Sequence, residues 1–166
     1  MTEDRTALIA LGSNLGDSAT IINAAFVRLQ QLSVKPIRKS SLWRTVPVDC
    51  PPGSPVFINA ACALIPSREE NPESLLSKLL QMEREFGRRT KTVLNEPRPL
   101  DLDLIAFDGE VRDTPELTLP HPRAHLRRFV LQPLGEITPD FTLPGQKQTV
   151  LQLLAALPSG ENVSPI

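Results

Sequence analysis

Proline sets the strongest limit on regular structure in this chain. Seventeen of its 166 residues are proline, about twice the usual share. Proline fixes φ and removes a backbone hydrogen-bond donor, so clusters of proline are typical of stiff, shaped loops. Such clusters lie at 47–55 and 97–99. The helices and strands are therefore expected in the segments between them.

The apolar residues of those segments follow two periods. Short apolar runs and strict alternation indicate strands, and apolar residues three or four positions apart indicate helices. The predicted elements, in chain order, are a strand at 6–11, a helix capped by Asp17 or Ser18, strands at 34–43 and 57–65, a helix from Pro72 to a stop at Gly87, a strand at 100–107 and a short helix at 150–157. Without the C-terminal helix, the order is β-α-β-β-α-β.

This order is typical of a ferredoxin-like α+β sandwich, in which two helices pack on one face of an antiparallel sheet. We expect a single domain over residues 1–166, with C-terminal additions to that fold. The pair Asp108-Gly109 predicts a turn that joins strand 100–107 to 110–112 as a hairpin. Because this fold supports many unrelated functions, the function has to be sought in particular residues.

The composition excludes several classes of protein. The formal net charge is −1 and hydrophobic residues make up 40% of the chain, which argues against a protein that coats nucleic acid or anionic lipid. No apolar run is long enough for a membrane span, and the acidic start lacks the layout of a signal peptide. Two cysteines, Cys50 and Cys62, are too few for a disulfide framework or a zinc site, and Cys62 is predicted to be buried. We therefore expect a cytoplasmic monomer that binds small molecules.

Two aspartates in one predicted strand are the sharpest chemical feature. Asp101 and Asp103 alternate with leucines, and the period of two places both carboxylates on one face, about 7 Å apart. Two like charges at neighbouring positions repel each other, so the pair favours a cation beside it. Carboxylates on a rigid strand suit Mg²⁺, which also takes water and substrate phosphates as ligands. The alternative is an ordinary solvated strand face.

Basic segments flank the aspartate strand on both sides. Residues 84–98 contain five basic residues against two acidic ones, and residues 121–128 contain three arginines, two histidines and no acid. Arginine matches phosphate oxygens, and arginines beside a carboxylate-bound metal stabilise charge in phosphoryl transfer. Solvated surface charge is the alternative for most of the first segment. Arg98 differs because prolines on both sides restrict its backbone.

Other residues suit a flat heteroaromatic ligand. No glycine-rich nucleotide motif is present, so phosphates have to be held by side chains and metal. Phe57 and Asn59 share a strand face, and Phe129 follows the second basic segment. The simpler interpretation of the two rings is that they are core residues, whereas a buried amide such as Asn59 requires hydrogen-bond partners. Glu83 borders the apolar side of its helix, where it either reaches a cleft or pairs with a nearby arginine.

Together these motifs resemble the 6-hydroxymethyl-7,8-dihydropterin pyrophosphokinase family of folate biosynthesis. The likeness runs from Ala7 to about Asp140. Its most specific part is PRPLDLD at 97–103 followed by PHPR at 120–123. The other carriers are ALGSNLGD at 10–17, WRTVP at 43–47, FINAA at 57–61, Glu83 with Gly87-Arg88, RRFVL at 127–131 and Pro133-Leu134.

The resemblance implies transfer of the β,γ-diphosphate of ATP to the hydroxymethyl group of the dihydropterin, which releases AMP. By the same resemblance, Asp101 and Asp103 would hold two Mg²⁺ ions. The remaining roles it implies are Arg88 and Arg98 in a loop that closes over ATP, His121 and Arg127 on the ATP phosphates, Glu83 on the nucleoside side, Phe57 and Phe129 on the two faces of the pterin, and Asn59, Thr45, Val46 and Val48 at its edge.

Four residues depart from the common family pattern. Asn95-Glu96 precede Pro97, where an aromatic residue and glycine are frequent; Phe57 replaces a frequent tyrosine; and Glu116 stands where some members have a basic residue. Two alternatives stay open. One is a non-enzymatic ferredoxin-like module that binds RNA or a nucleotide through the two basic segments. The other is an inactive relative that retains pterin binding.

Overall fold

The computed structural model describes residues 4–46, 56–87, 99–158 and 163–166. Its elements, in chain order, are β1 (Ala7–Ser13), α1 (Ser18–Gln30), β2 (Arg38–Lys39), β3 (Trp43–Thr45), β4 (Phe57–Leu64), α2 (Pro72–Glu85), β5 (Asp101–Phe107), β6 (Arg112–Asp113), β7 (Thr118–Leu119), a short 3₁₀ helix (Ala124–Leu126), α3 (Arg128–Ile137), α4 (Val150–Ala156) and β8 (Val163–Pro165).

A central antiparallel sheet organises the molecule, in the strand order β5-β1-β4-β3-β8, with β2 also paired to β4. β1 lies between β4 and β5 and is almost entirely buried. Burial on both faces explains why its sequence is an apolar run without alternation. The predicted α+β class with an antiparallel sheet is confirmed.

Local sequence signals set the ends of the first two helices as predicted. The Asp17 side chain accepts from the Thr20 N–H at 3.3 Å, which satisfies one of the first-turn donors of α1. Asn71 forms a capping box at the start of α2, with Pro72 in the first turn. Gly87, just after α2, has φ +98, a conformation that glycine adopts at little cost.

The helices divide between the two faces of the sheet. Helices α1 and α2 pack against β1, β4 and β5 through Ile22, Leu29, Leu75 and Leu79, as predicted for two helices on one face. The C-terminal helices α3 and α4 cover the opposite face. The short helix predicted at 150–157 is confirmed as α4, whereas α3 was not predicted. In the described chain both faces of the sheet therefore carry helices, whereas an RNA-binding module of this fold stacks bases on an open sheet face.

The predicted strand at 34–43 is wrong as one continuous element. The structure has two short strands, β2 and β3, with residues 40–42 between them. The hydroxyl of Ser40 accepts from the Ala61 N–H at 2.8 Å, while the Ser40 N–H donates to the Ala61 carbonyl at 2.9 Å. A side chain thus replaces a backbone carbonyl in the ladder at this point, and the regular pairing is interrupted.

The predicted hairpin between 100–107 and 110–112 is also wrong. The turn exists, with Asp108 at φ +50 and the Glu110 N–H donating to the Phe107 carbonyl at 3.0 Å. However, β6 pairs with β7 and forms a separate two-stranded sheet. The backbone of β6 is thus paired with β7, and Arg112 also binds Glu73 in the first turn of α2 at 2.9 Å, a contact distant in sequence.

Two further expectations concern burial. Cys62 is fully buried, and burial raises the pKa of its thiol to about 12, so its prediction as a small core residue is confirmed. Cys50 lies outside the described residues. Within the described ranges, no helix has the length and apolar character that a membrane crossing requires.

Candidate active site

A row of three residues crosses the sheet at the centre of the candidate site. Gly12 of β1 is opposite Asp101 of β5 on one side and opposite Asn59 of β4 on the other. Directly opposed residues share a face of the sheet. Two strand spacings separate the aspartate from the asparagine, so their Cα atoms are about 10 Å apart. Asp101 and Asn59 are thus held on either side of a residue with no side chain.

Gly12 leaves room that any other residue would occupy. A Cβ atom on Gly12 would lie 3.3 Å from Asn59 Nδ2 and 3.6 Å from the Phe57 ring. The Asn59 amide and the Phe57 ring therefore lie over the Gly12 backbone. The predicted strand ended at residue 11, before Gly12, whereas β1 continues to Ser13 and includes this glycine. A glycine inside a strand indicates a close approach to the backbone.

Asp101 and Asp103 lie on one face of β5, as their spacing predicted. Asp103 is opposite Ala10, one pleat further along β1 than Gly12. Both aspartates are half-buried, whereas Leu102 and Leu104 are buried in the core on the other face. The prediction that alternation separates acid from leucine is therefore confirmed.

The aspartate pair fits a Mg²⁺ site that is completed by a substrate. Two partly exposed carboxylates on one strand supply hard oxygen ligands and leave positions for water and phosphate oxygens. In the described part of the chain, no third His, Cys, Asp or Glu joins them in a cluster able to hold a metal alone. The two carboxylates therefore suit a metal ion that binds together with a polyphosphate, whose oxygens supply further ligands.

A cleft of about 330 Å³ opens beside β5. It lies between α2, β5 and the segment from Pro115 to Pro122. Its polar lining includes both aspartates together with Glu83, Glu116, Thr118 and His121, and Leu76, Leu80 and Leu117 supply apolar lining. Because four carboxylates in one cleft repel an anionic ligand, such a ligand needs cations that neutralise the carboxylates.

Glu83 is buried at the base of this cleft, with 4% of its surface exposed. Its Oε2 accepts from the Leu102 N–H at 2.7 Å, which joins α2 to the strand that carries the aspartates. The sequence suggested that Glu83 pairs with Arg84. In the structure, the Arg84 guanidinium instead donates to Gln81 Oε1 at 2.9 Å. Arg88, the other suggested partner, lies outside the described residues.

His121 is half-buried on the opposite wall of the cleft. Its Nδ1 accepts from the Arg123 N–H at 3.3 Å, which leaves Nε2 to carry the proton of the neutral ring. Burial lowers the pKa of His121, the charge of Arg127 lowers it further, and Asp101 opposes this effect. At neutral pH the ring is therefore an uncharged donor.

The predicted ring-binding residues lie on the other side of Gly12. The Thr45 hydroxyl donates to Asn59 Oδ1 at 2.6 Å, and both side chains are buried. This bond fixes the amide so that Nδ2 is the end over Gly12. Val46 is exposed beside Thr45. Val48 lies outside the described residues.

The two phenylalanines lie at the margin of the core. Phe57 is half-buried at the start of β4. Phe129 is half-buried at the start of α3 and packs on the second core cluster. The guanidinium of Arg127 lies 5.5 Å from the centroid of the Phe129 ring, a cation–π contact. Partial exposure leaves ring surface available to a ligand.

The structure thus brings most of the predicted site residues to one end of the sheet. The aspartates, Glu83 and His121 line the cleft, and the buried pair Thr45–Asn59 is next to the Phe57 ring across Gly12. Arg88 and Arg98, the two arginines expected to act on the phosphates, lie outside the described residues, as do Asn95 and Glu96.

A cleft with paired carboxylates, next to an oriented amide and an aromatic ring, has the kinds of groups that a transferase uses for a phosphate-bearing substrate and a flat second substrate. The sequence model of the 7,8-dihydro-6-hydroxymethylpterin-pyrophosphokinase (HPPK) family matches residues 8–139. The chain belongs to this family. The prediction of the family, and of an enzyme of the pyrophosphokinase class in folate biosynthesis, is confirmed.

Similar proteins come from several lineages. The chain is 42% identical over 132 residues to the 2-amino-4-hydroxy-6-hydroxymethyldihydropteridine pyrophosphokinase of Bacillus subtilis, across 79% of this chain and 77% of that protein. It is 35% identical to the Synechocystis protein of the same name, across 89% and 74%. It is 33% identical to the folic acid synthesis protein fol1 of Schizosaccharomyces pombe, where it covers 95% of itself and 21% of the relative.

Solved structures share the fold. An HPPK-DHPS crystal structure in complex with substrates superposes with a TM-score of 0.73 at 12% identity, over 93% of this chain and 45% of that chain. Wild-type Plasmodium falciparum HPPK-DHPS with pteroate gives a TM-score of 0.70 at 14% identity, over 93% and 43%. The chain therefore spans less than half of these longer chains.

Proposed function

We propose that this chain transfers the β,γ-diphosphate of ATP to the hydroxymethyl group of 6-hydroxymethyl-7,8-dihydropterin, giving the pterin diphosphate and AMP. The row Asp101–Gly12–Asn59 is the observation that carries this proposal. The acid and the amide are about two strand spacings apart, with glycine backbone between them, and this separation supports one binding region for the polyphosphate and another for the ring. The strand order of the central sheet also supports the finer assignment to a ferredoxin-like fold with C-terminal additions.

The ring side of the site is proposed to bind the pterin. Phe57 and Phe129 would stack on its two faces, and Asn59 Nδ2 would donate to an acceptor at its edge. Thr45 keeps that amide in the required orientation through the bond to Oδ1. Backbone groups near Val46 and Val48 would complete the edge contacts. Fixed donors and rings of this kind recognise a flat polar heterocycle.

The cleft side is proposed to bind ATP. Asp101 and Asp103 would hold two Mg²⁺ ions, which when bound neutralise the polyphosphate and polarise the β-phosphorus. His121 and Arg127 would donate to phosphate oxygens, with Arg88 and Arg98 joining them, and Glu83 would lie on the nucleoside side. Apolar contacts from α2 would hold the base. The protein thus supplies alignment and charge neutralisation.

The transfer is a direct displacement between two bound substrates. The hydroxymethyl oxygen forms a bond to the β-phosphorus, the bond from that phosphorus to the oxygen shared with the α-phosphate breaks, and AMP departs with that oxygen. The hydroxyl proton passes to solvent. No covalent enzyme intermediate takes part, because the site holds both substrates at once.

The test is to incubate the chain with ATP, Mg²⁺ and 6-hydroxymethyl-7,8-dihydropterin and to follow the nucleotides. The proposal predicts that AMP forms directly, in amounts equal to the pterin diphosphate, with no ADP formed first. ADP as first product would show ordinary phosphoryl transfer and contradict the proposal. Pterin binding in calorimetry without any turnover would instead identify an inactive relative.

A further inference from the structure

The outer edge of β5 is held by a side chain. Among the described strands, β5 pairs with β1 alone. On the edge away from β1, the Leu102 N–H donates to Glu83 Oε2 at 2.7 Å. Glu83 is 4% exposed, and Leu102 is 4% exposed. A buried carboxylate therefore takes the position that a neighbouring strand would occupy at the centre of a sheet.

This hydrogen bond acts between the two aspartates. The Leu102 N–H belongs to the peptide group that joins Asp101 to Leu102, and Asp103 follows directly. The orientation of that peptide sets the direction of the Asp101 Cα–Cβ bond directly, and that of Asp103 through the next peptide of the same strand. An edge strand without a partner on one side is free to twist, unless another element fixes it. Glu83, supported by α2, supplies that constraint.

We infer that Glu83 is a positioning residue, which orients Asp101 and Asp103 for a metal-bound polyphosphate through the Leu102 N–H. This inference rests on the proposed function of the aspartates. It differs from the nucleoside contact that the resemblance implies, because it acts through the strand backbone and does not require a nucleoside. The Oε2 atom of Glu83, which accepts from the Leu102 N–H, is the atom that positions the strand.

The charge of Glu83 has the opposite effect on an anionic ligand. A negative group in a cleft that holds Asp101 and Asp103 repels a polyphosphate, so losing its charge alone strengthens binding. Losing the acceptor weakens binding, because the strand is no longer held. Glu83→Gln removes the charge and keeps an acceptor oxygen, while Glu83→Ala removes both. The difference between the two variants therefore isolates the acceptor.

The experiment compares these variants in the full chain by three measurements. Backbone amide exchange of Leu102 is measured by NMR, Mg²⁺-dependent binding of inorganic tripolyphosphate by calorimetry, and turnover with ATP and the pterin by AMP release. Tripolyphosphate carries no nucleoside, so it reports on the metal and phosphate side of the site without any nucleoside contact. Glu85→Ala is the matched control, because Glu85 is a partly exposed residue of the same helix that pairs with Arg28.

In Glu83→Ala we expect Leu102 exchange to rise and tripolyphosphate affinity to fall, each by about tenfold relative to Glu83→Gln, the effect of leaving one buried N–H without its acceptor. The Leu102 exchange rate and the tripolyphosphate affinity of Glu83→Gln should stay within about threefold of those of the parent chain. Both quantities should be the same in Glu85→Ala as in the parent chain. If the alanine variant does not fold, Glu83→Asp withdraws the carboxylate by one methylene and should reproduce the faster exchange.

Equal tripolyphosphate affinity in the alanine and glutamine variants would overturn the inference. Unchanged Leu102 exchange in a folded Glu83→Ala would do the same. A loss confined to ATP, with tripolyphosphate binding intact, would assign Glu83 to the nucleoside alone and also overturn it. Failure of the proposed function is a separate result, because the parent chain would then form no AMP whatever the exchange data show.

Discussion

The two halves of the site, on either side of Gly12, are built in different ways. On the ring side, Thr45 and Asn59 are buried and bonded to each other at 2.6 Å, so their geometry is set before any ligand binds. On the cleft side, half-buried Asp101 and Asp103 lie in a cleft of about 330 Å³ with further carboxylates.

Under the proposed function, this difference indicates how each substrate would be recognised. A rigid, buried amide discriminates between ligands by hydrogen-bond geometry and needs no cation to do so. A cleft lined by acids cannot bind a polyphosphate until cations neutralise it. Changes on the ring side should therefore alter pterin affinity, and changes on the cleft side should alter metal-dependent steps.

The largest effect is expected from the aspartates. Asp101→Ala or Asp103→Ala should lower kcat by about a thousandfold or more, because an interaction with the transferred charge is lost. The thermal unfolding midpoint should change little, since both side chains are half-buried and outside the core. Steady-state kinetics at several Mg²⁺ concentrations and a melting curve test this. A near-normal rate in either variant would show that these carboxylates do not hold the metal.

The buried pair on the ring side should give the next largest effect. Thr45→Val removes the donor to Asn59 Oδ1 and leaves that oxygen buried without it. A loss of about 1–3 kcal/mol in pterin binding is expected, which is roughly a 5- to 150-fold weaker Kd. Thr45→Ser, which keeps the hydroxyl, is the control. ATP affinity should not change, and calorimetry with each ligand separately decides the matter.

Gly12→Ala tests the boundary between the halves. The new methyl group would lie 3.3 Å from Asn59 Nδ2 and 3.6 Å from the Phe57 ring. Asn59 has to shift to accommodate it, so the KM for the pterin should rise by about tenfold while the KM for ATP stays within about twofold. Ala10→Gly, one pleat away on the same strand, serves as a comparison. An equal rise in both KM values would contradict a ring-side location for this contact.

On the cleft side, a smaller effect is expected from Glu116. This exposed acid lines the cleft, and Glu116→Lys replaces repulsion of the nucleotide by attraction. The KM for ATP should fall by about two- to fivefold at low salt, and the gain should shrink as ionic strength rises. Glu116→Gln should give roughly half of the change. If the KM for ATP were the same in both variants as in the parent chain, Glu116 would lie outside the nucleotide site.

His121 should give the smallest effect, on stability. Its pKa is lower in the folded protein than the ordinary value of 6.5, because burial and Arg127 disfavour the charged ring. The unfolded chain therefore binds this proton more readily, and the stability that neutral His121 permits is present above pH 6.5 and is lost as pH falls through the folded pKa. In His121→Gln, the free energy of unfolding should fall less steeply over that window. An unchanged pH dependence in His121→Gln would contradict this account.

Sequence predicted those features that depend on local periodicity or on a local cap. The period of two placed Asp101 and Asp103 on one face, and Asn71-Pro72 marked the start of α2. Prediction failed where pairing depends on distant contacts. The Ser40–Ala61 bonds divided one predicted strand, and the pairing of β6 with β7 replaced a predicted hairpin with β5.

The site itself was only partly predictable for the same reason. Residue types at 57, 59, 101 and 103 indicated which side chains to consider, through spacing and through the family resemblance. Their position around Gly12 depends on the register of β1 with both neighbours, and the bond from Leu102 to Glu83 joins residues 19 apart. Neither is encoded by any short pattern in the chain.

The most direct measurement is a crystal structure of the chain with Mg²⁺, a non-hydrolysable ATP analogue and 6-hydroxymethyl-7,8-dihydropterin. We predict Mg²⁺ ions on Asp101 and Asp103, the pterin edge on Asn59, and the hydroxymethyl oxygen about 3–3.5 Å from the β-phosphorus above Gly12. A pterin bound away from Asn59, or aspartates turned to solvent with no ion beside them, would contradict the two-sided site described above.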